Sequence, residues 1–253
     1  MRGSLLTALA LAALGAILAA GALAVRIEIG NVAVSATAKV QPRKLPAGGG
    51  PVELTTVTRV WTQDGSIPPT LTRLRFQFDR FAQIRTKGVP VCTIAKLAGT
   101  TPAVARRRCR GALVGTGTGR ARVELPGRAP TKISSPLSLF NGPKSRGRPT
   151  LIAHAYETIP EPKALLVPIA VERVRRGRYG YRVEVEVPEI AGGYGAATLA
   201  EATLGRTFKR HGHSFGYISA RCVGGRLQVF GTASFSNGDF FPSTLAPSCG
   251  VRR

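Results

Sequence analysis

The segment Leu71–Asp79, LTRLRFQFD, has the clearest two-residue period in the chain: Leu74, Phe76 and Phe78 fall on one side, Arg73, Arg75 and Gln77 on the other. That alternation belongs to a strand of an antiparallel sheet with one face on a core and the other in water. Similar signals extend in both directions. Upstream, Val32, Val34, Ala36, Ala38 and Val40 alternate within a strand predicted over 27–40, and β-branched residues run from Val52 to Trp61. Downstream, strands are predicted at 112–114, 121–125, 136–140, 150–157, 164–174 and 181–187, where Val183, Val185 and Val187 alternate with Glu184 and Glu186. Residues 215–223 and 226–235 read as a hairpin across Gly224-Gly225, a link with the φ freedom such turns need. QPRKLPAGGGP and TQDGSIPP, rich in glycine and proline, separate the early strands.

One helix interrupts this pattern. Thr101 followed by Pro102 offers a hydroxyl at the cap and a proline where no N–H is needed. The helix is expected to reach about Arg110 and stop at Gly111, with Ala105 and Cys109 on one face. Arg106 and Arg110 share another face, where they suit the helix dipole. Many short strands, glycine and proline turns and a single helix predict an all-β fold: an antiparallel two-layer sandwich with one short helix near residues 102–110. PGRAPTKISSP, residues 126–136, is the best place for a division, but no repeat relates the two halves. One unit over residues 25–253 is the expectation.

The N-terminus supplies an address. Arg2 precedes an apolar run from Leu5 to Leu18, and Ala22-Leu23-Ala24 places small residues where a leader is cut, so residues 1–24 read as a signal peptide. Leu5–Val25 is 21 uncharged residues, and about 20 span a bilayer, so a retained leader would serve as an N-terminal anchor. The expected location is secreted or otherwise extracytoplasmic. In that setting Cys92, Cys109, Cys222 and Cys249 read as two disulfides. Three pairings are open to four cysteines; pairing 92 with 109 and 222 with 249 closes two local loops. A zinc site is the competing reading, but the spacings lack the close pairs of zinc motifs.

Charge narrows the choice of partners. Removing Arg2 from 36 basic residues leaves 35 against 13 acidic ones, a surplus of 22. Such a chain attracts polyanions, among which anionic envelope polymers and anionic lipid surfaces fit an exported protein; no specific nucleic acid is implied. The competing explanation is compositional, since arginine outnumbers lysine 28 to 8. The residues singled out for anion binding are Arg175, Arg176, Arg178, Tyr179, Tyr181 and Arg182, at a hairpin tip. Guanidinium groups there fork onto phosphate or carboxylate, and the tyrosines stack on bases or sugars. A solvated, arginine-rich turn is the plainer alternative.

Catalytic motifs are weak. Gly212-His213-Ser214-Phe215-Gly216 has the form of a nucleophile elbow, which makes Ser214 the one candidate nucleophile. The elbow needs a following helix and a later histidine, whereas YISARC reads as strand and His154 precedes the serine. His211, His213 and His154 lack a nearby carboxylate to complete a metal shell, so no metal is expected, and no cofactor motif is present. Gly115–Gly119, GTGTG, lacks the Lys-Ser/Thr of a phosphate loop and reads as a turn between strands. Trp61 reads as packing.

The set PRKLP, DGSIPP, FDRF, GVPVC, CRGALVGTG, LFNGP and YISARC resembles an uncharacterised family of secreted actinobacterial β-rich proteins, over about Val40 to Cys249. The resemblance implies export and brings no activity, ligand or site residue. Together these features describe an exported, disulfide-bearing, non-enzymatic β protein that binds or builds part of the cell envelope. A serine hydrolase using Ser214 and a purely structural module with incidental charge are the alternatives.

Overall fold

The computed structural model describes residues 24–210 and 212–252, so the leader read from the sequence lies outside the described residues except for Ala24. Twelve strands form one sheet: β1 (Val25–Ile29), β2 (Val32–Gln41), β3 (Glu53–Thr62), β4 (Leu71–Asp79), β5 (Leu113–Val123), β6 (Thr131–Ser145), β7 (Arg148–Glu157), β8 (Lys163–Arg173), β9 (Tyr179–Glu186), β10 (Gly195–Leu204), β11 (Val229–Phe235) and β12 (Phe240–Leu245). Their order across the sheet is β1-β2-β3-β10-β5-β6-β7-β8-β9-β4-β11-β12, and every pairing is antiparallel. The sheet curls until its edges meet, with β12 packed against β1 and β2. The expected all-β antiparallel class is present. Its two layers are opposite walls of one curled sheet, a flattened barrel.

β4 behaves as its alternation demands. Leu74, Phe76 and Phe78 point into the barrel, while Arg73 and Arg75 lie outside, 3.1 Å and 3.0 Å from Glu184 on the neighbouring β9. Such exposed pairs contribute about 0–1 kcal/mol each, so the strand is held mainly by its apolar face. An apolar interior and a charged exterior make a water-facing barrel; a membrane barrel reverses the two.

Several elements depart from the sequence reading. The strand predicted over 27–40 is two strands, because Gly30 takes a positive φ of 55° and starts a turn at Gly30-Asn31. GTGTG is no turn: it lies within β5 and pairs with both β6 and β10. The hairpin expected across Gly224-Gly225 does not form. Instead Ile218–Ala220 pairs with Gly50–Pro51 and Ala82–Ile84, and β11 pairs with β4 and β12. Residues 126–130 belong to the loop from β5 to β6, two neighbours in the sheet, and β6 already begins at Thr131. Strands from before and after that loop alternate within the same sheet.

Residues 88–112 lie outside the barrel as a cover over β6 and β7. Helices α1 (Ile94–Leu97) and α2 (Pro102–Arg108) carry Leu97 and Ala105, which are fully buried with Cys92, Phe140 and Ile152. Burying side chains the size of Leu, Ile and Phe is worth about 1.5–3 kcal/mol each, so this second core fixes the cover firmly. α2 stops at Arg108, two residues short of expectation, and a 3₁₀ turn follows over Arg110–Ala112. Pro102 stands in the first turn as expected, but the Thr101 hydroxyl makes no cap bond; its carbonyl accepts from Ala105 N–H at 2.9 Å. Cys92 and Cys109 are disulfide-bonded, Cα atoms 5.7 Å apart, and stitch the cover to itself. Cys222 and Cys249, with Cα atoms 5.8 Å apart, tie the last residues back.

Candidate functional site

The barrel interior is not filled. Eight strands enclose a space that side chains just fill, and wider barrels leave a cavity or channel. Here the inward positions on several of the twelve strands are small. Ala200 and Ala202 on β10 and Ala153 on β7 face a void of about 230 Å³ whose other walls include Leu74, Phe76 and Val183. A second void of about 200 Å³ continues toward Ile133, Leu165 and Ile190. Leu74, Leu137, Ala153, Val185 and Ala200 line both, so the two are compartments of one apolar space.

The glycines of β5 contribute to this shape. Gly115, Gly117 and Gly119 stand opposite Leu204, Ala202 and Ala200 on one side and Leu139, Leu137 and Ser135 on the other. They occupy inward positions without adding a side chain, and at Gly115 and Gly117 β10 approaches where a β-carbon would be.

The two ends differ. At the first, the short sheet of Gly50–Pro51, Ile218–Ala220 and Ala82–Ile84 closes the barrel, and Ala82, Ile84, Ile218 and Ala220 face the void. Asp79 also lines this end, but its carboxylate is occupied: Oδ1 accepts from Phe81 N–H at 3.0 Å and Oδ2 from Gln228 N–H at 3.2 Å. At the other end the buried Glu157 accepts from Ala191 N–H at 2.9 Å, which fixes the turn after β9. Ala191 has a φ of 51°, a conformation such a contact helps to hold.

Outside the first end lies a polar groove of about 470 Å³ between the β4–Ala82 connection and the β8–β9 turn, lined by Arg80, Gln83, Arg173 and Arg175. Ala82 and Tyr181 line both this groove and the apolar void. The close approach depends on a bulge: Tyr179 pairs with Asp79 and Tyr181 with Phe78, leaving Gly180 between. A β-carbon on Gly180 would stand 2.9 Å from the Arg80 Cα.

The bulge also divides the six residues proposed for anion binding. Arg175, Arg176 and Arg178 are exposed at the tip. Tyr179 packs on Phe230, ring centroids 6.3 Å apart. Tyr181 is half-buried and lines both the apolar void and the outer groove. Arg182 lies 3.9 Å from Glu172, which also pairs with Arg148. No sequence signal marked Arg80 or Arg173, the groove's other two arginines.

Ser214 is exposed on a small hairpin, Thr207–Arg210 with His213–Gly216, opposite Lys209. A strand follows it, Ile218–Ala220, where a nucleophile elbow requires a helix. His154, the base it would need, is fully buried beneath the outer cover, where its Nε2 donates to the Thr100 carbonyl at 3.0 Å. The structure therefore gives His154 a packing role. His211 lies outside the described residues, and among the described residues no three His, Cys, Asp or Glu side chains cluster as metal ligands. Tyr217 is completely buried with no partner for its hydroxyl among the described residues, and burial pushes its phenol above the usual tyrosine range.

No protein-family model matches the chain, and no curated protein matches it. The class is defined by the architecture alone: an all-β, disulfide-bonded barrel with an apolar interior.

Proposed function

We propose that this protein acts outside the cytoplasm as a non-enzymatic binding protein that takes an apolar molecule into its barrel. One observation carries the reading: a void of about 230 Å³, continued by another of about 200 Å³, lies in the middle of the core. Interiors normally pack as densely as organic crystals. At roughly 24 cal/mol per Å³, packing forgone by the larger void alone is on the order of 5 kcal/mol, comparable to the whole stability of many domains. A ligand offsets that cost, and an apolar void of about 150 Å³ already accepts a benzene-sized molecule. Two disulfides support an oxidising compartment, and the leader and the family resemblance agree with export to the envelope.

The test is titration of the oxidised protein with N-phenyl-1-naphthylamine, a neutral fluorophore that brightens in apolar surroundings. Saturable, one-to-one binding is expected. A folded protein that leaves the probe dark at every concentration overturns the reading.

A second reading concerns the outer surface. Arg175, Arg176 and Arg178 are exposed together at one tip, and they suit anionic envelope polymers or an anionic lipid surface. Retention on such polymers should then fall steeply between low and physiological salt, and substitution of the three by glutamine should remove it. Retention that ignores salt counts against this use of the tip.

A further inference from the structure

We infer that the ligand is a single-chain anionic amphiphile: its tail lies in the barrel and its carboxylate or phosphate head is held in the groove by Arg80, Arg173 and Arg175. This deepens the reading of the void as a binding site and rests on it.

The argument is one of adjacency and charge. The groove and the void share two walls, Ala82 and Tyr181, so a molecule reaching from one into the other passes between a methyl group and a phenol. Tyr181 is suited to that border, since its ring is apolar and its hydroxyl is not. Inward of it the walls are aliphatic and aromatic; outward they are guanidinium and amide.

Nearby acids do not neutralise the groove. Asp79 has both carboxylate oxygens on backbone N–H groups. Glu172, next to Arg173, is turned to the outer face with Arg148 and Arg182. Arg80 is held in place by stacking, its Cζ 5.1 Å from the centre of the Phe81 ring, and Arg221 approaches the same ring at 5.2 Å. An arginine fixed by stacking has less freedom to lose when it forks onto an oxyanion. The far end offers no match for a second anionic group, because the buried carboxylate of Glu157 lines it. The tail therefore points toward Glu157 and the head toward Arg80.

The experiment is displacement of N-phenyl-1-naphthylamine from the oxidised protein by four twelve-carbon compounds: dodecanoate, dodecyl phosphate, dodecanol and dodecyltrimethylammonium. The two anions are expected to displace it at concentrations at least tenfold lower than dodecanol, with the cation weakest, and added salt should narrow the gap. The more effective anion identifies the head as carboxylate or phosphate. In R80Q/R173Q/R175Q the preference should vanish while the probe and dodecanol bind as before; R176Q/R178Q, which alters only the tip, should retain it. Equal displacement by dodecanol and dodecanoate, or loss of the preference in the tip variant instead, overturns the headgroup assignment and leaves the void as a neutral site. Failure of the probe itself to bind overturns both.

Discussion

Gly117 on β5 stands directly opposite Ala202 on β10, and a β-carbon at position 117 would lie 2.9 Å from the Ala202 Cα and closer still to the Glu201 carbonyl. The obstacle is backbone, which cannot swing aside as a side chain does. Two residues along, a β-carbon at Gly119 would meet the Leu137 side chain, its nearest atom Cδ2 at an ordinary 3.6 Å. The two alanine variants should therefore diverge. Gly117→Ala forces β5 and β10 apart and is expected to cost about 2–3 kcal/mol or more. Gly119→Ala fills open space in an extended strand and should stabilise by about 0.5–1 kcal/mol. Urea midpoints decide it, and equal effects at the two positions would contradict the close approach.

That pair also shows what the sequence could and could not reveal. LTRLRFQFD was legible because one wall of β4 is apolar and the other meets water, and Val183, Glu184 and Val185 were legible for the same reason. β5 and β10 were not. Their inward positions are Gly115, Gly117, Gly119, Ala200 and Ala202, which give little hydrophobic signal because the space they face is empty. The void arises from closure of the barrel, in which β4 pairs with β9 and β11, each at least 100 residues away. Local periodicity carries no record of such partners. The cysteine pairs were legible because each loop is short. Tyr181 continues the alternation of Val183 and Val185, and the bulge at Gly180 separates it from Tyr179, so the two tyrosines grouped together in the sequence have different surroundings.

The two disulfides should be unequal in their local effects although similar in size. On the chain-entropy account, loops of 17 and 27 residues stabilise by roughly 3–3.5 kcal/mol each. Cys92 and Cys109 are buried in the second core with Leu97, Ala105, Phe140 and Ile152, so C92S/C109S also puts unpaired hydroxyls there. Hydrogen exchange should rise across 88–112 and leave β4 and β9 protected. In C222S/C249S the rise should instead fall on residues near Lys44–Leu45, which pair with Gly250–Val251. A uniform rise in both variants would show that the cover and the tail do not open separately.

Tyr217 makes stability depend on alkaline pH. Its phenol is raised in the folded state by burial, so the folded protein holds that proton more tightly than the unfolded chain, whose tyrosine titrates near 10. The sign follows: stability is intact below pH 10 and falls as pH rises beyond it, because unfolding then releases a proton. Unfolding midpoints measured between pH 8 and 11 should decline over the last unit. Tyr217→Phe should flatten that decline and, since the hydroxyl lacks a partner among the described residues, cost nothing at neutral pH or gain about 1 kcal/mol. A clear loss of stability at pH 7 would mean the hydroxyl is bonded in solution.

Filling the void should trade binding for stability. Ala153 and Ala200 are half-buried residues that line both compartments of the apolar space, so leucine at either place can grow into empty volume instead of into a neighbour. Cavity filling of this kind commonly yields about 0.5–2 kcal/mol, which should appear as a raised urea midpoint in A153L and A200L. Affinity for N-phenyl-1-naphthylamine should fall at least tenfold in the same proteins, because the added isobutyl group and the probe compete for the same space. A surface change such as R176Q should alter neither. Stabilisation with undiminished probe binding would place the probe outside the barrel, and destabilisation would mean that the walls at 153 and 200 already touch.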